Sequence, residues 1–350
     1  MPQRKSLWGN CCSNVIVLLH PTMIVSAMPL LDAFPRSAAL RDARSGERLG
    51  QADLAAKVRE RGEAIRNEGW SERGFVVVGE SSPFDTLVGL FAAWAAGHPV
   101  VLVNPRLAPN ECANVAAATK AVGWLGPGAE HATLLKGTGG SSSEAPSLSR
   151  DEPALVLMTS GTTGVPKGIV LTLRALEARL HLNLAHVENA SAALARSLCV
   201  LPLFFGHGLI GNTLTPLMAG GTVHLLPSPD MTEAAGLGDL VDRESITFMS
   251  SVPTFWKSAL RLSPKPDHAL SRVHIGSAPL GLELWSRTRS ILHARHARRQ
   301  REHRNDGMVA AAERDLVGTA LSQIVTGRRE IAPVKKSPLA FLSMFNRKSA

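Results

Sequence analysis

The chain has no tyrosine, only four cysteines among its 350 residues, and aromatic side chains at 5% of its length. The cysteines are Cys11, Cys12, Cys112 and Cys199. They show no metal-ligand spacing, and the adjacent pair cannot easily bridge to each other. That argues against a disulfide-stapled secreted module and points to reduced thiols in a cytoplasmic protein. No apolar run reaches the ~18 residues that a membrane-spanning helix needs. The N-terminal candidate, Val15 to Leu19, is cut by His20-Pro21 and is too short for the roughly 7–15-residue apolar core of a signal peptide. A start at Met23 or Met28 is the expectation instead. No internal repeat is evident, which gives no support to a solenoid. With 45% hydrophobic residues, the chain can bury a sizeable core in one large domain or two subdomains.

The densest chemistry lies in ten residues: Thr159, Ser160, Gly161, Thr162, Thr163, Gly164, Val165, Pro166, Lys167 and Gly168. The apolar run Ala154-Leu155-Val156-Leu157-Met158 before it and Ile169-Val170-Leu171 after it read as short strands. Glycines without a Cβ let consecutive backbone N–H groups turn toward one anion. The hydroxyls add donors, and Lys167 adds a mobile positive charge suited to a polyphosphate. A Walker loop is excluded, because Gly-Lys would have to be followed by Ser or Thr at the start of a helix. Here Pro166 precedes the lysine, Gly168 follows it, and a strand comes next.

Upstream, strand and helix patterns alternate. Residues 51–69 carry Leu54, Ala55, Val58 and Ile65 at helical spacing. Residues 75–78 read as a strand, 86–96 as an apolar helix, 99–105 as strand and turn, and 110–120 as a helix. Such alternation predicts an α/β fold with a mainly parallel sheet covered on both faces. Residues 127–150, rich in Gly and Ser, read as an exposed linker into the loop.

The loop resembles the phosphate loop of the adenylate-forming (AMP-binding) superfamily, which includes acyl-CoA synthetases and ligases. The likeness extends over residues 48–285. Leu201-Pro202-Leu203-Phe204-Phe205-Gly206-His207-Gly208-Leu209-Ile210-Gly211-Asn212 is similar to a second family signature, in which an aromatic and a histidine lie near the acyl and α-phosphate positions. A lone histidine on an apolar segment is ordinarily a satisfied core group. Beside the loop match, His207 reads as a site residue. Residues 247–256, ending in Phe255 and Trp256, resemble a segment that lines the acyl pocket in relatives, and a core role for both rings is an equal alternative. Gly276, Ser277, Ala278 and Pro279 resemble the turn that carries the adenine ring. One departure is that Leu173 follows Thr172 where relatives commonly place a histidine.

The resemblance implies the large N-terminal domain of the adenylate-forming fold, mainly parallel sheets flanked by helices, over residues 31–285. It implies ATP, Mg²⁺ and coenzyme A as cofactors, with a small carboxylic acid or acyl group as substrate. A carrier-protein thiol is an equally compatible acceptor. Carboxylate attack on the α-phosphorus would give an acyl-adenylate, which a thiol then consumes. Lys167, Thr162 and His207 would act on the reacting groups. Loop residues 159–164 and turn residues 276–279 would hold the nucleotide, and Thr159 would support the metal.

The end of the chain follows another pattern. Residues 286–350 hold 14 Lys/Arg against 5 Asp/Glu, while the first 285 residues hold 24 of each. The whole net charge of +9 therefore sits in the last segment. The family's Tyr-Gly-x-Thr-Glu and Thr-Gly-Asp motifs are not found there, nor is the C-terminal small domain with its lysine. A one-base change of frame across residues 298–308 permits a Gly-Met-Thr-Glu sequence. The expectation is thus a family member truncated or frameshifted after about residue 285, with an atypical extension over 1–30 and an out-of-frame or disordered basic tail over 286–350. Impaired turnover, or a non-catalytic remnant that binds ATP or acyl groups, is the alternative to a working ligase. A basic tail that binds nucleic acid is a second alternative, and a nucleic-acid partner is not expected.

Overall fold

A computed structural model describes residues 29–68, 70, 73–134, 148–159, 167–226, 231–267, 270–278 and 281–292. A short helix, Pro29–Asp32 (α1), leads into a hairpin of Ala39–Asp42 (β1) and Arg48–Gly50 (β2). Asp42 closes its turn by accepting from the backbone N–H groups of Arg44 and Ser45 at 2.8 and 2.7 Å. Helix Gln51–Asn67 (α2) follows, and it buries Leu54, Ala55, Val58, Gly62 and Ile65 as the helical spacing predicts. Strand Val76–Val78 (β3), helix Pro83–Ala95 (α3), strand Val100–Leu102 (β4), helix Pro109–Thr119 (α4) and strand Gly123–Leu125 (β5) complete the first half.

Local chemistry sets these helix ends. Ser82 Oγ accepts from the Asp85 N–H at 3.3 Å, with Pro83 in the first turn, where a missing N–H costs nothing. Helix α4 stops at Lys120, whose φ of +51° breaks the helical path.

Next come strands Pro153–Thr159 (β6) and Lys167–Thr172 (β7), then helix Leu173–Ala185 (α5) and a single turn at Ala190–Ala193 (α6). Thr172 caps α5 by accepting from the Ala175 N–H at 3.1 Å. The second sheet then grows. Its elements are Arg196–Cys199 (β8), a π-helical turn over His207–Leu214, Thr215–Met218 (α7), Thr222–Leu225 (β9), Met231–Ala235 (α8), Leu237–Arg243 (α9), Phe248–Ser251 (β10), Pro253–Leu262 (α10), Arg272–Ile275 (β11) and Leu282–Leu292 (α11). Helix α11 runs past residue 286, and residues 293–350, which contain most of the basic segment, lie outside the described residues.

Two sheets result. One has the order β5-β3-β4-β6-β7 and the other β11-β10-β8-β9-β1-β2. Every neighbouring pair is parallel except the two edge hairpins, β6–β7 and β1–β2. Val76, Val77, Val78, Val100, Val101 and Leu102 are completely buried, as strands covered on both faces must be. The expectation of mainly parallel sheets flanked by helices therefore holds. Trp94 ties the layers together: its indole N–H donates to the Ala154 carbonyl at 2.8 Å, joining α3 to β6. Trp256 is fully buried in the apolar cluster under α9, α10 and α11, and Phe255 packs against that cluster.

One buried charge knits the six-stranded sheet. Glu244 follows α9, and its Oε2 faces Arg41 Nε at 3.1 Å, Arg196 Nη2 at 3.4 Å and His224 Nε2 at 3.4 Å. Arg243 Nε lies 3.5 Å from Oε1. Burial would raise the carboxyl, but Arg41, with His224 and Arg243, holds it below its ordinary value.

Candidate functional site

Parallel α/β sheets place ligand-binding groups beyond the C-terminal ends of their strands, where loops and helix starts converge. Strands β6, β10 and β11 end at Thr159, Ser251 and Ile275, and the candidate residues gather just past those ends. In the β6–β7 hairpin Thr159 is paired directly with Lys167. The last pair of the described hairpin is thus the threonine and the lysine named from the sequence, on either side of the phosphate-type segment. Loop residues Ser160, Gly161, Thr162, Thr163 and Gly164, and Pro279 of the later turn, lie outside the described residues.

The turn carrying His207 abuts this hairpin. A Cβ added at Gly206 would sit 3.1 Å from Leu157 Cδ1 of β6, a tight contact that the leucine tip would have to yield to. A Cβ at Gly208 would lie 2.4 Å from the Pro202 carbonyl oxygen and 2.9 Å from that of Leu201. Glycine at 208, directly after His207, is therefore a packing requirement. From His207 the chain winds into the π-helical turn, a wide form found disproportionately at functional sites. Thr213 and Thr215 hydroxyls donate to the Gly208 and Ile210 carbonyls at 3.0 and 2.7 Å, helping to satisfy the carbonyls of the wide turn. The Phe204 and Phe205 rings contact each other beside it, tilted by 55° with centroids 4.6 Å apart, and Phe205 is half exposed.

Both nitrogens of His207 are engaged. Nδ1 lies 3.0 Å from Ser277 Oγ and Nε2 lies 2.6 Å from Ser250 Oγ. The fold thus brings His207 together with the Gly276-Ser277-Ala278 turn, two features 70 residues apart in sequence. Gly276 is buried, and its N–H donates to the Ser251 carbonyl at 3.1 Å. Ser277 and Ala278 are exposed, and Ser277 has a left-handed φ of +66°. Asn212, within the π-helical turn, donates from Nδ2 to the Ser250 carbonyl at 2.6 Å.

Partial burial leaves both histidines of the site uncharged at neutral pH. Burial pushes the His207 imidazole down to about 4. His274, on β11, is also pushed down to about 4, by burial first and then by Arg272 and His207. Its ring lies edge-on to Phe248 with centroids 5.1 Å apart. At neutral pH both rings are uncharged, so His207 offers hydrogen bonds and a lone pair rather than a cation.

Among the described residues no cluster of His, Cys, Asp or Glu could enclose a metal ion. The side chain of Thr159, the residue the sequence names for metal support, lies outside what the structure describes.

Asn212 and Ser250 lie within the segments 201–212 and 247–256 matched from the sequence but carry no role of their own there, and His274 is not singled out. Ser250 had a signal, since two serines side by side in the fully buried strand Phe248-Met249-Ser250-Ser251 break its apolar pattern. His274 looks like any strand histidine until β11 is laid beside β10.

The chain was compared with known proteins. A family model described as "AMP-binding enzyme" matches residues 31–298. The 4-coumarate–CoA ligase 5 of Oryza sativa subsp. japonica is 26% identical over 288 residues, covering 74% of this chain and 52% of that protein. Indoleacetate–CoA ligase of Aromatoleum aromaticum is 29% identical over 283 residues, covering 66% and 54%. The chain spans about half the length, or less, of the curated relatives it matches. Among solved structures, o-succinylbenzoate coenzyme A synthetase from Bacillus subtilis, in complex with AMP, superposes with a TM-score of 0.60 at 21% identity, covering 76% of this chain and 70% of that one. That likeness shows the shared fold. No helix among the described residues is long and apolar enough to cross a membrane.

Proposed function

This chain belongs to the family of AMP-binding enzymes, and on that premise we propose that it forms the nucleotide- and carboxylate-binding face of an acid–thiol ligase that makes an acyl-adenylate from ATP and a carboxylic acid. The observation that carries this reading is the β6–β7 hairpin, whose Thr159–Lys167 pair brackets the Gly/Thr-rich segment and whose Leu157 lies beside the His207 turn. The acyl-CoA ligases among its relatives support the reaction class.

Bringing a carboxylate up to a triphosphate joins two anions, so the site must offset charge and hold the attack in line. Lys167 and the loop amides and hydroxyls, Thr162 and Thr163 among them, would take the β- and γ-phosphates. A Mg²⁺ ion bound on those phosphates, supported from Thr159, would supply further charge neutralisation. His207 would direct the acid: its neutral ring approaches an anion without the proton that a charged imidazole would give up to it. Gly276, Ser277, Ala278 and Pro279 would flank the base. Coenzyme A, or a carrier-protein thiol, would accept the acyl group in the second step.

Nucleotide binding tests this reading. Titration calorimetry with Mg·ATP is expected to give saturable binding, weakened about tenfold or more in Lys167→Ala. Absence of binding, or equal binding by wild type and Lys167→Ala, would sink the assignment of the loop.

A further inference from the structure

Ser277, His207 and Ser250 form an uninterrupted hydrogen-bonded line. Ser277 Oγ is 3.0 Å from His207 Nδ1, and Ser250 Oγ is 2.6 Å from Nε2 on the far side of the ring. The two ends differ in character. Ser250 is almost completely buried and its main chain is gripped by Asn212 at 2.6 Å. Ser277 is exposed and stands on a tight turn directly after β11, in the left-handed region at φ +66°. A side chain is costly there, and strain of this kind persists where the surroundings impose it. A hydroxyl lifted into solvent on a strained turn, backed by a histidine that a third group orients, meets the geometric criterion for an activated nucleophile.

We infer that Ser277, within the same site, is a nucleophile that accepts an acyl group from an activated acyl donor when no nucleotide is bound, with His207 as its general base and Ser250 as the positioning residue. The donor class is an ester or mixed anhydride with a good leaving group. In the step, Ser277 Oγ attacks the acyl carbon while its proton passes to His207 Nδ1. The Oγ–C bond forms, the bond from carbon to the leaving oxygen breaks, and the leaving group departs with the electron pair. The ring already carries a proton on Nε2, which it donates to Ser250 Oγ, and the proton gained on Nδ1 is lost to solvent. No oxidant or metal is required. A neutral imidazole is the form the step needs, and burial keeps the ring in that form down to about pH 4. The same burial makes it a weaker base than a solvated histidine, so single acylation rather than fast turnover is the expected behaviour.

The test uses the full chain, 4-nitrophenyl acetate and no ATP, so it does not depend on the ligase reading. A burst of about one equivalent of 4-nitrophenolate is expected, with an acetyl group on the peptide containing Ser277 by mass spectrometry. Ser277→Gly removes the hydroxyl while relieving the left-handed backbone, so loss of the burst in that variant is not a folding defect. Ser250→Ala is expected to slow acylation about tenfold and Ser250→Thr to restore most of it, a rescue that a purely structural role would not show. His207→Gln should slow acylation at least a hundredfold. A burst that survives in Ser277→Gly, an acetyl group found only elsewhere, or no adduct at all would overturn the inference. Mg·ATP binding measured on the same preparation reports separately on the ligase reading.

Discussion

Acidification should unfold this protein through its two neutral histidines, and the size of the effect follows from the site. His207 and His274 are each held at about 4, against 6.5 for an ordinary histidine. A depressed value means that the unfolded chain binds more protons than the folded one between those two pH values. The stabilisation is therefore complete above pH 6.5, declines as the pH falls, and is exhausted near pH 4. Integrating from pH 7 to pH 5 gives about 2 kcal/mol for each ring, or about 4 kcal/mol for the pair. That is a large share of the 5–15 kcal/mol typical of a folded domain. Urea unfolding followed by tryptophan fluorescence at pH 7 and pH 5 measures it, using buried Trp94, Trp124 and Trp256 as reporters. His207→Gln should cut the loss of stability between the two pH values by about 2 kcal/mol, and His274→Gln likewise. His98 and His224 are shifted in the same direction by burial and act in wild type and variants alike. If His207→Gln loses as much stability as wild type over this interval, the ring titrates normally and its burial-held neutrality is wrong.

Two further perturbations probe the frame around the site. Glu244→Gln removes the shared partner of Arg41, Arg196 and Arg243, whose side chains are 31%, 40% and 59% exposed, and with solvent screening those guanidiniums it should cost about 1 kcal/mol at pH 7. The carboxylate's contribution is present above its ordinary value of 4.5 and is lost as pH falls through its lower folded value, so the gap between wild type and variant in urea melts should close in acid. Gly208→Ala drives a Cβ to 2.4 Å from the Pro202 carbonyl. The turn must shift, at a cost of about 1–3 kcal/mol in unfolding free energy, and the His207 imidazole resonances should move with it in NMR spectra.

Much of this architecture is legible in the sequence because its strands are short, apolar and wholly buried. Val76-Val77-Val78 and Val100-Val101-Leu102 have no polar face to mislead a periodicity argument. Helix α2 declares itself by Leu54, Val58 and Ile65 on one stripe. The phosphate-type loop and His207 are local patterns, readable because glycine spacing records where backbones must approach closely. Ser250, Asn212 and His274 could not be placed, because their roles arise only when β10, β11 and the π-helical turn meet across tens of residues. The same limit applies to Phe255 and Trp256. An aromatic pair after Val-Pro suits a substrate pocket or a core equally well on paper. The apolar packing of α10 against α11 puts Trp256 in the core.

Carboxylate-dependent exchange of labelled pyrophosphate into ATP tests the central claim most directly. It reports the first half-reaction alone and needs no thiol acceptor. The account predicts exchange that requires Mg²⁺ and an added carboxylic acid, found by screening aryl and short aliphatic acids, and that falls at least a hundredfold in Lys167→Ala. Saturable ATP binding with no exchange for any acid would contradict it, leaving this chain a nucleotide-binding protein that does not activate carboxylates.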